Sequence, residues 1–123
     1  MNKKIIFSVD DAETALSIVE EMLNDRYTVI SIKTVEEMFE RLQATTPDLI
    51  LLDYYMPDIS CQMAMKRLKI EYGAVPVIVV SASNYPDLMD EINAMGAVDF
   101  ISKPINDMET VFAKVKKWIK DDR

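Results

Sequence analysis

The sequence contains no histidine. That absence excludes Ser-His-Asp and Cys-His catalysis, histidine-containing zinc sites and a phosphohistidine carrier. There is one cysteine, Cys61, so no internal disulfide can form, and a reducing cytoplasm is the expected compartment. Glycine is nearly as scarce, with two residues, and no Pro/Gly-rich linker, internal repeat or low-complexity tract interrupts the chain. No apolar run approaches membrane-spanning length. The N-terminal run Ile5–Val9 stops at Asp10, too early for a signal-peptide core. Basic residues are outnumbered, 14 against 21 acidic, for a net charge of −7. Such a balance repels nucleic acid and anionic membrane, so neither is an expected partner.

What is present suits one compact domain over residues 1–123, half of it apolar and 28% charged. A chain of this size buries roughly two-thirds of its unfolded surface and needs no staple. Short apolar runs occur at Ile5–Val9, Leu49–Leu52, Val75–Val80 and Val98–Ile101, with a weaker one at Tyr27–Ile32. Runs of this kind suit parallel strands buried on both faces. Between them the apolar residues take helical spacing. Ala12, Ala15, Leu16, Val19, Met22 and Leu23 share one face, as do Val35, Met38, Phe39 and Leu42. Met108, Val111, Phe112, Val115, Trp118 and Ile119 repeat the pattern near the C-terminus, and further helices are expected near Met63–Tyr72 and Asp87–Met95.

Local signals support these bounds. Thr34 with Glu37, and Asn106 with Glu109, are spaced as capping boxes. Pro86 suits a first helical turn after Asn84 or Tyr85, and Gly73 and Gly96 stand where helices should end. Five βα units imply an α/β fold: a doubly wound, five-stranded parallel sheet with five helices on its two faces. Such sheets bind ligands beyond the carboxyl ends of their strands.

At those ends the sequence places Asp10 and Asp11, Asp53, Ser81, and Ser102-Lys103-Pro104. Each has an ordinary reading: Asp10 with Glu13 serves as a helix cap as readily as a ligand, and Asp53 suits a turn. Jointly, three carboxylates without histidine or thiolate favour a hard cation such as Mg²⁺. A lysine and a hydroxyl beside that cation suit phosphoryl oxygens, and an aspartate can form an acyl phosphate. The chemistry suggested is metal-assisted phosphoryl transfer to an aspartate.

These residues resemble a known family, the receiver domains of two-component response regulators, which share a flavodoxin-like fold. The likeness covers essentially the whole chain. It is carried by Asp10-Asp11, by the run Pro47 to Asp53 followed by Met56-Pro57, by Val79-Val80-Ser81-Ala82, and by the run Gly96 to Pro104. The resemblance implies that Asp53 accepts a phosphoryl group from a phosphohistidine on a sensor histidine kinase or a histidine phosphotransfer protein. It implies Mg²⁺, with Mn²⁺ as a substitute, held by Asp11, Asp53 and the Tyr55 backbone carbonyl, with Asp10 acting largely through water. Lys103, ahead of a cis bond to Pro104, would pair with a phosphoryl oxygen. Ser81 and Phe100 would move together and remodel the surface of the fourth helix, fifth strand and fifth helix. A downstream protein or output domain would read that change, and a homodimer formed on phosphorylation is compatible with it. On this likeness the domain is a switch with at most slow self-phosphorylation and self-dephosphorylation, not a turnover enzyme.

Three positions depart from the family pattern. Cys61 stands where glycine is usual, Tyr55 is bulky beside the acceptor, and Phe100 replaces the commoner tyrosine. Competing readings are weaker. A pseudoreceiver, acting only as an interaction module, predicts loss of acidic or lysine positions that are all present. A phosphohydrolase wants a second acid after its nucleophile, where Tyr54-Tyr55 follows Asp53. A flavin carrier wants a Ser/Thr/Gly-rich phosphate loop in place of Asp-Asp-Ala-Glu. The chain ends at Asp121-Asp122-Arg123, which suits a stand-alone receiver and one cut from a longer protein equally. The nine methionines and Cys61 are expected in packing roles, and Lys114, Lys116, Lys117 and Lys120 as a solvated cluster at a helix end.

Overall fold

A computed structural model describes residues 3–83 and 86–119. Five strands and five helices alternate: β1 Ile5–Val9, α1 Glu13–Leu23, β2 Thr28–Ile32, α2 Val35–Leu42, β3 Leu49–Asp53, α3 Cys61–Glu71, β4 Val77–Ser81, α4 Leu88–Ala94, β5 Asp99–Ser102 and α5 Met108–Trp118. The strands form one parallel sheet in the order β2-β1-β3-β4-β5. The expected doubly wound architecture is therefore the observed one.

Alternation along each strand explains how both faces are filled. Phe7, Val9, Ile50, Leu52, Val77 and Val79 face α2, α3 and α4. Their neighbours Ile6, Leu49, Leu51, Ile78 and Val80 face α1 and α5. Strands β3 and β4 are buried along their whole length, and their last residues, Asp53 and Ser81, are carried into that burial.

Helix ends show where local sequence was decisive. The first-turn amides of α2 are all satisfied. Thr34 accepts from Glu37 N at 3.0 Å, while Asp58 accepts from Val35 N at 3.2 Å and Glu36 N at 2.9 Å. The reciprocal arm expected of Glu37 reaches Lys33 N instead of Thr34. Burial raises the Asp58 carboxyl, but the amide bonds from Glu36 and Val35 outweigh it and hold the group below the usual carboxylate range. Gly96 closes α4 at φ +96°, with Gly96 N donating to Asn93 O and Ala97 N to Ile92 O. That pair of bonds is the Schellman closure, which glycine favours at its left-handed position.

Several boundaries differ from expectation. Helix α5 is capped by Asp107, which accepts from Thr110 N and its hydroxyl, and not by Asn106 with Glu109. Helix α1 begins after Ala12 without a side-chain cap, because Asp10 is engaged elsewhere. Helix α4 starts at Leu88, so Pro86 lies in the preceding turn, and Asn84 and Tyr85 lie outside the described residues. Strand β4 starts at Val77 because Pro76 has no amide to donate; its carbonyl accepts from Ile50 N. Ala12 and Met108, placed above on the apolar faces of their helices, are exposed. Cys61 sits in the first turn of α3 with its side chain buried, behind the Ser60 cap, so glycine's absence there costs no left-handed backbone.

Candidate functional site

The carboxyl ends of β1, β3, β4 and β5 bring the strand-end residues together. Asp10 follows β1 directly, and its amide continues the ladder by donating to Ile32 O. Its Oδ1 accepts from Ala12 N at 3.0 Å, which turns the chain so that the neighbouring Asp11 stays exposed. Asp53 ends β3 and is 5% exposed. One oxygen from each of Asp10, Asp11 and Asp53 lies within 4.8 Å of the others. Three hard carboxylate oxygens gathered this closely, with no nitrogen or sulfur donor among them, are the donor type that Mg²⁺ prefers. The donor set therefore fits a hard divalent ion.

Lys103 supplies the positive charge. Its Nζ lies 2.7 Å from Asp10 Oδ2 and 3.3 Å from Asp53 Oδ2. The Lys103 backbone is held beside β4 by its amide, which donates to Ser81 O, and its bond to Pro104 is cis, as the resemblance implies. Burial lowers the lysine's proton affinity, yet the bonds and charges of Asp10 and Asp53 outweigh it and raise the pKa above its ordinary value. Asp53 has the opposite history. Burial and the Asp10 charge raise its pKa, and Lys103 and the Tyr55 amide offset only part of that. Ionised Asp53 is thus held under electrostatic strain.

Ser81 is fully buried at the end of β4, and its Oγ accepts from Ser83 N at 3.0 Å. The Tyr55 side chain is exposed, and its hydroxyl meets Ser83 Oγ at 2.8 Å. Phe100 is half-buried against the α2–α4 side of the core. Asp99 Oδ1 accepts from Phe100 N at 2.8 Å, and Lys114 Nζ donates to Phe100 O and lies 3.2 Å from Asp99 Oδ1. Lys114 is therefore not the solvated charge expected of it, and Lys120 lies outside the described residues. Asp99 also accepts from the Trp118 indole at 2.9 Å. Cys61 is 1% exposed, and burial, Asp53 and Glu91 push its thiol up to about 12, so it packs as expected.

Sequence reasoning missed one further set beside the acidic cluster. Tyr54 donates its hydroxyl to Glu91, and Gln62 Nε2 reaches Tyr54 Oη at 2.9 Å and Glu91 Oε2 at 2.8 Å. Glu91 lies 37 residues from Tyr54 and 29 from Gln62, so no local spacing announces the set.

Comparison with known proteins bears on the family and the fold. The family model for the response regulator receiver domain matches residues 6–116. CrdR, a transcriptional regulatory protein of Helicobacter pylori, is 29% identical over 99% of this chain and 57% of its own length. The alkaline phosphatase synthesis transcriptional regulatory protein PhoP of Bacillus subtilis is 31% identical over 94% of this chain and 48% of its own. The chain thus spans about half the length of these relatives. Among solved structures, the beryllofluoride-activated DrrB receiver domain superposes with a TM-score of 0.87 at 24% identity, covering 97% of this chain and 99% of that one. That likeness establishes the fold, and no described helix is long and apolar enough to cross a membrane. With the sequence match running from β1 through most of α5, the chain belongs to the receiver domain family of two-component response regulators.

Proposed function

We propose that this receiver domain is a phosphorylation switch whose acceptor is Asp53. The observation that carries the reading is the convergence of Asp10, Asp11 and Asp53 within 4.8 Å, with Lys103 bridging two of them. Asp10, Asp11, Asp53 and the Tyr55 backbone carbonyl would hold Mg²⁺, or Mn²⁺ in its place. When bound, the ion would neutralise the phosphoryl oxygens during transfer.

The chain's own residues do the rest. An ionised Asp53 oxygen attacks the phosphorus of a phosphohistidine; the O–P bond forms as the N–P bond breaks, and the released imidazole takes a proton. Lys103 turns from the carboxylates to a phosphoryl oxygen, where a compact ammonium is an effective counter-charge. Ser81 exchanges its bond from Ser83 N for one to the phosphoryl group, and Phe100 follows into the space behind it. The new charge biases two packings of the β4–α4 and β5–α5 region, which an output domain or protein reads.

The donor is a sensor histidine kinase or histidine phosphotransfer protein, which places the domain in the cytoplasm. The domain is then a switch and not a turnover enzyme. A pseudoreceiver is disfavoured because every acidic and lysine position is present and assembled at one edge.

Labelling tests this reading. With acetyl phosphate and Mg²⁺ the protein should gain one phosphoryl group that hydroxylamine removes, as it does an acyl phosphate, and chelator should prevent the gain. A hydroxylamine-stable label, or none, would contradict it.

A further inference from the structure

Helix α4 is short and its apolar anchor is small. It has seven residues, its cap Asp87 makes no side-chain cap bond, and it buries only Leu88 and Ile92. The Tyr54–Gln62–Glu91 set supplies a polar tie from this helix to the loop after Asp53 and to the first turn of α3.

We propose that this set is a latch that holds α4 in the arrangement belonging to unphosphorylated Asp53. The inference rests on Asp53 being the acceptor. Tyr54 is well placed for the role. It follows Asp53 directly, and its amide donates to Val80 O at 2.8 Å, so its backbone is fixed to β4 at the acceptor. Its ring packs edge-on against Tyr55 with centroids 4.8 Å apart, which limits where the hydroxyl can point. Only a particular position of Glu91, and hence of α4, satisfies the phenol and the Gln62 amide together.

Charge gives the latch its direction. Glu91 accepts from the hydroxyl of Tyr54, the residue next to Asp53, so the two carboxylates stand at opposite ends of one tyrosine. A phosphoryl group on Asp53 replaces the single carboxylate charge with up to two, and the net added negative charge raises the cost of an ionised Glu91 at the other end of Tyr54. Ser81, in turning to the phosphoryl group, gives up the bond from Ser83 N and so loosens the end of β4 next to Tyr54. Both effects favour letting go. A contact made in only one of two states lowers the affinity of any ligand that selects the other state.

The test is a titration with beryllofluoride, which imitates the acyl phosphate, in the presence of Mg²⁺. Tyr54→Phe keeps the ring and removes the hydroxyl; Glu91→Ala removes the acceptor without harming helix propensity. Each variant should bind beryllofluoride about fivefold to tenfold more tightly than wild type, with Mg²⁺ affinity unchanged. The double variant should gain no more than either single one. Before beryllofluoride is added, NMR signals of residues 88–94 in the variants should already lie partway along the wild-type shift. A structural tie alone would not produce that displacement. Equal or weaker binding by variants of a wild type that does bind would overturn the latch alone. A wild type that does not bind would overturn the acceptor reading and the latch with it.

Discussion

In chelator, Asp53→Asn is expected to melt at a higher temperature than wild type. The substitution keeps the size and removes a charge whose ionisation the folded protein disfavours through burial and Asp10. Lys103 loses little, because its shorter contact is the one to Asp10, at 2.7 Å. For a chain of this length each kcal/mol of relief appears as about 3–5 °C. The sign fixes the pH window. A carboxyl whose pKa is raised by folding costs stability once it ionises, so the gap between variant and wild type is complete above the raised value. It closes as pH falls below the ordinary value of 3.8, where both side chains are neutral. Mg²⁺ should reverse the ranking. An ion bound only by the folded wild type adds about 2.7 kcal/mol at a hundredfold excess over Kd, and the variant should gain far less. Differential scanning calorimetry with and without Mg²⁺ checks both halves. An Asn variant that is destabilised in chelator, beside a wild type indifferent to Mg²⁺, would show that Asp53 is a structural residue.

Lys103→Gln should do the opposite, and strongly. It leaves the buried Asp10 and Asp53 carboxylates, 6% and 5% exposed, without their shared counter-charge. Breaking a buried ion pair from one side costs about 3–5 kcal/mol, and the partial exposure of Lys103 puts this case near the lower end. Its pKa is raised by folding, so its contribution is full below the ordinary value of 10.5 and is lost as pH rises through the folded one. A divalent cation can take the place of the missing ammonium. The variant should therefore gain more from Mg²⁺ than wild type does, while losing the ability to switch. Denaturant melts at several Mg²⁺ concentrations measure this. A variant as stable as wild type in chelator would mean that the two carboxylates do not depend on Lys103.

The pattern of these effects mirrors what the sequence made legible. Asp10, Asp53, Ser81 and Lys103 could be placed because each ends or closely follows an apolar run, and strand ends of a parallel sheet converge by construction. The core was legible for the same reason: alternate residues of each run must fill opposite faces. Helix caps were less so. Asn106 and Asp107 are both competent caps, and the choice fell to Asp107 because Thr110 supplies an amide and a hydroxyl at the right distance. Long-range polar ties were invisible. Nothing in the sequence around Lys114 shows that its charge meets Asp99 and the carbonyl of Phe100, or that Asp58 caps a helix of another βα unit. Such pairs depend on side chains meeting across the finished sheet, and local periodicity carries no record of them.

The central claim is that Asp53, and neither Asp10 nor Asp11, carries the phosphoryl group. Borohydride reduces an aspartyl phosphate to homoserine, so the modified residue can be read by mass spectrometry after phosphorylation with acetyl phosphate and Mg²⁺ and digestion. Homoserine should appear at position 53, and Asp10 and Asp11 should remain aspartate. Homoserine at position 10 or 11, or unmodified aspartate at 53 in protein that has gained a phosphoryl group, would contradict the account.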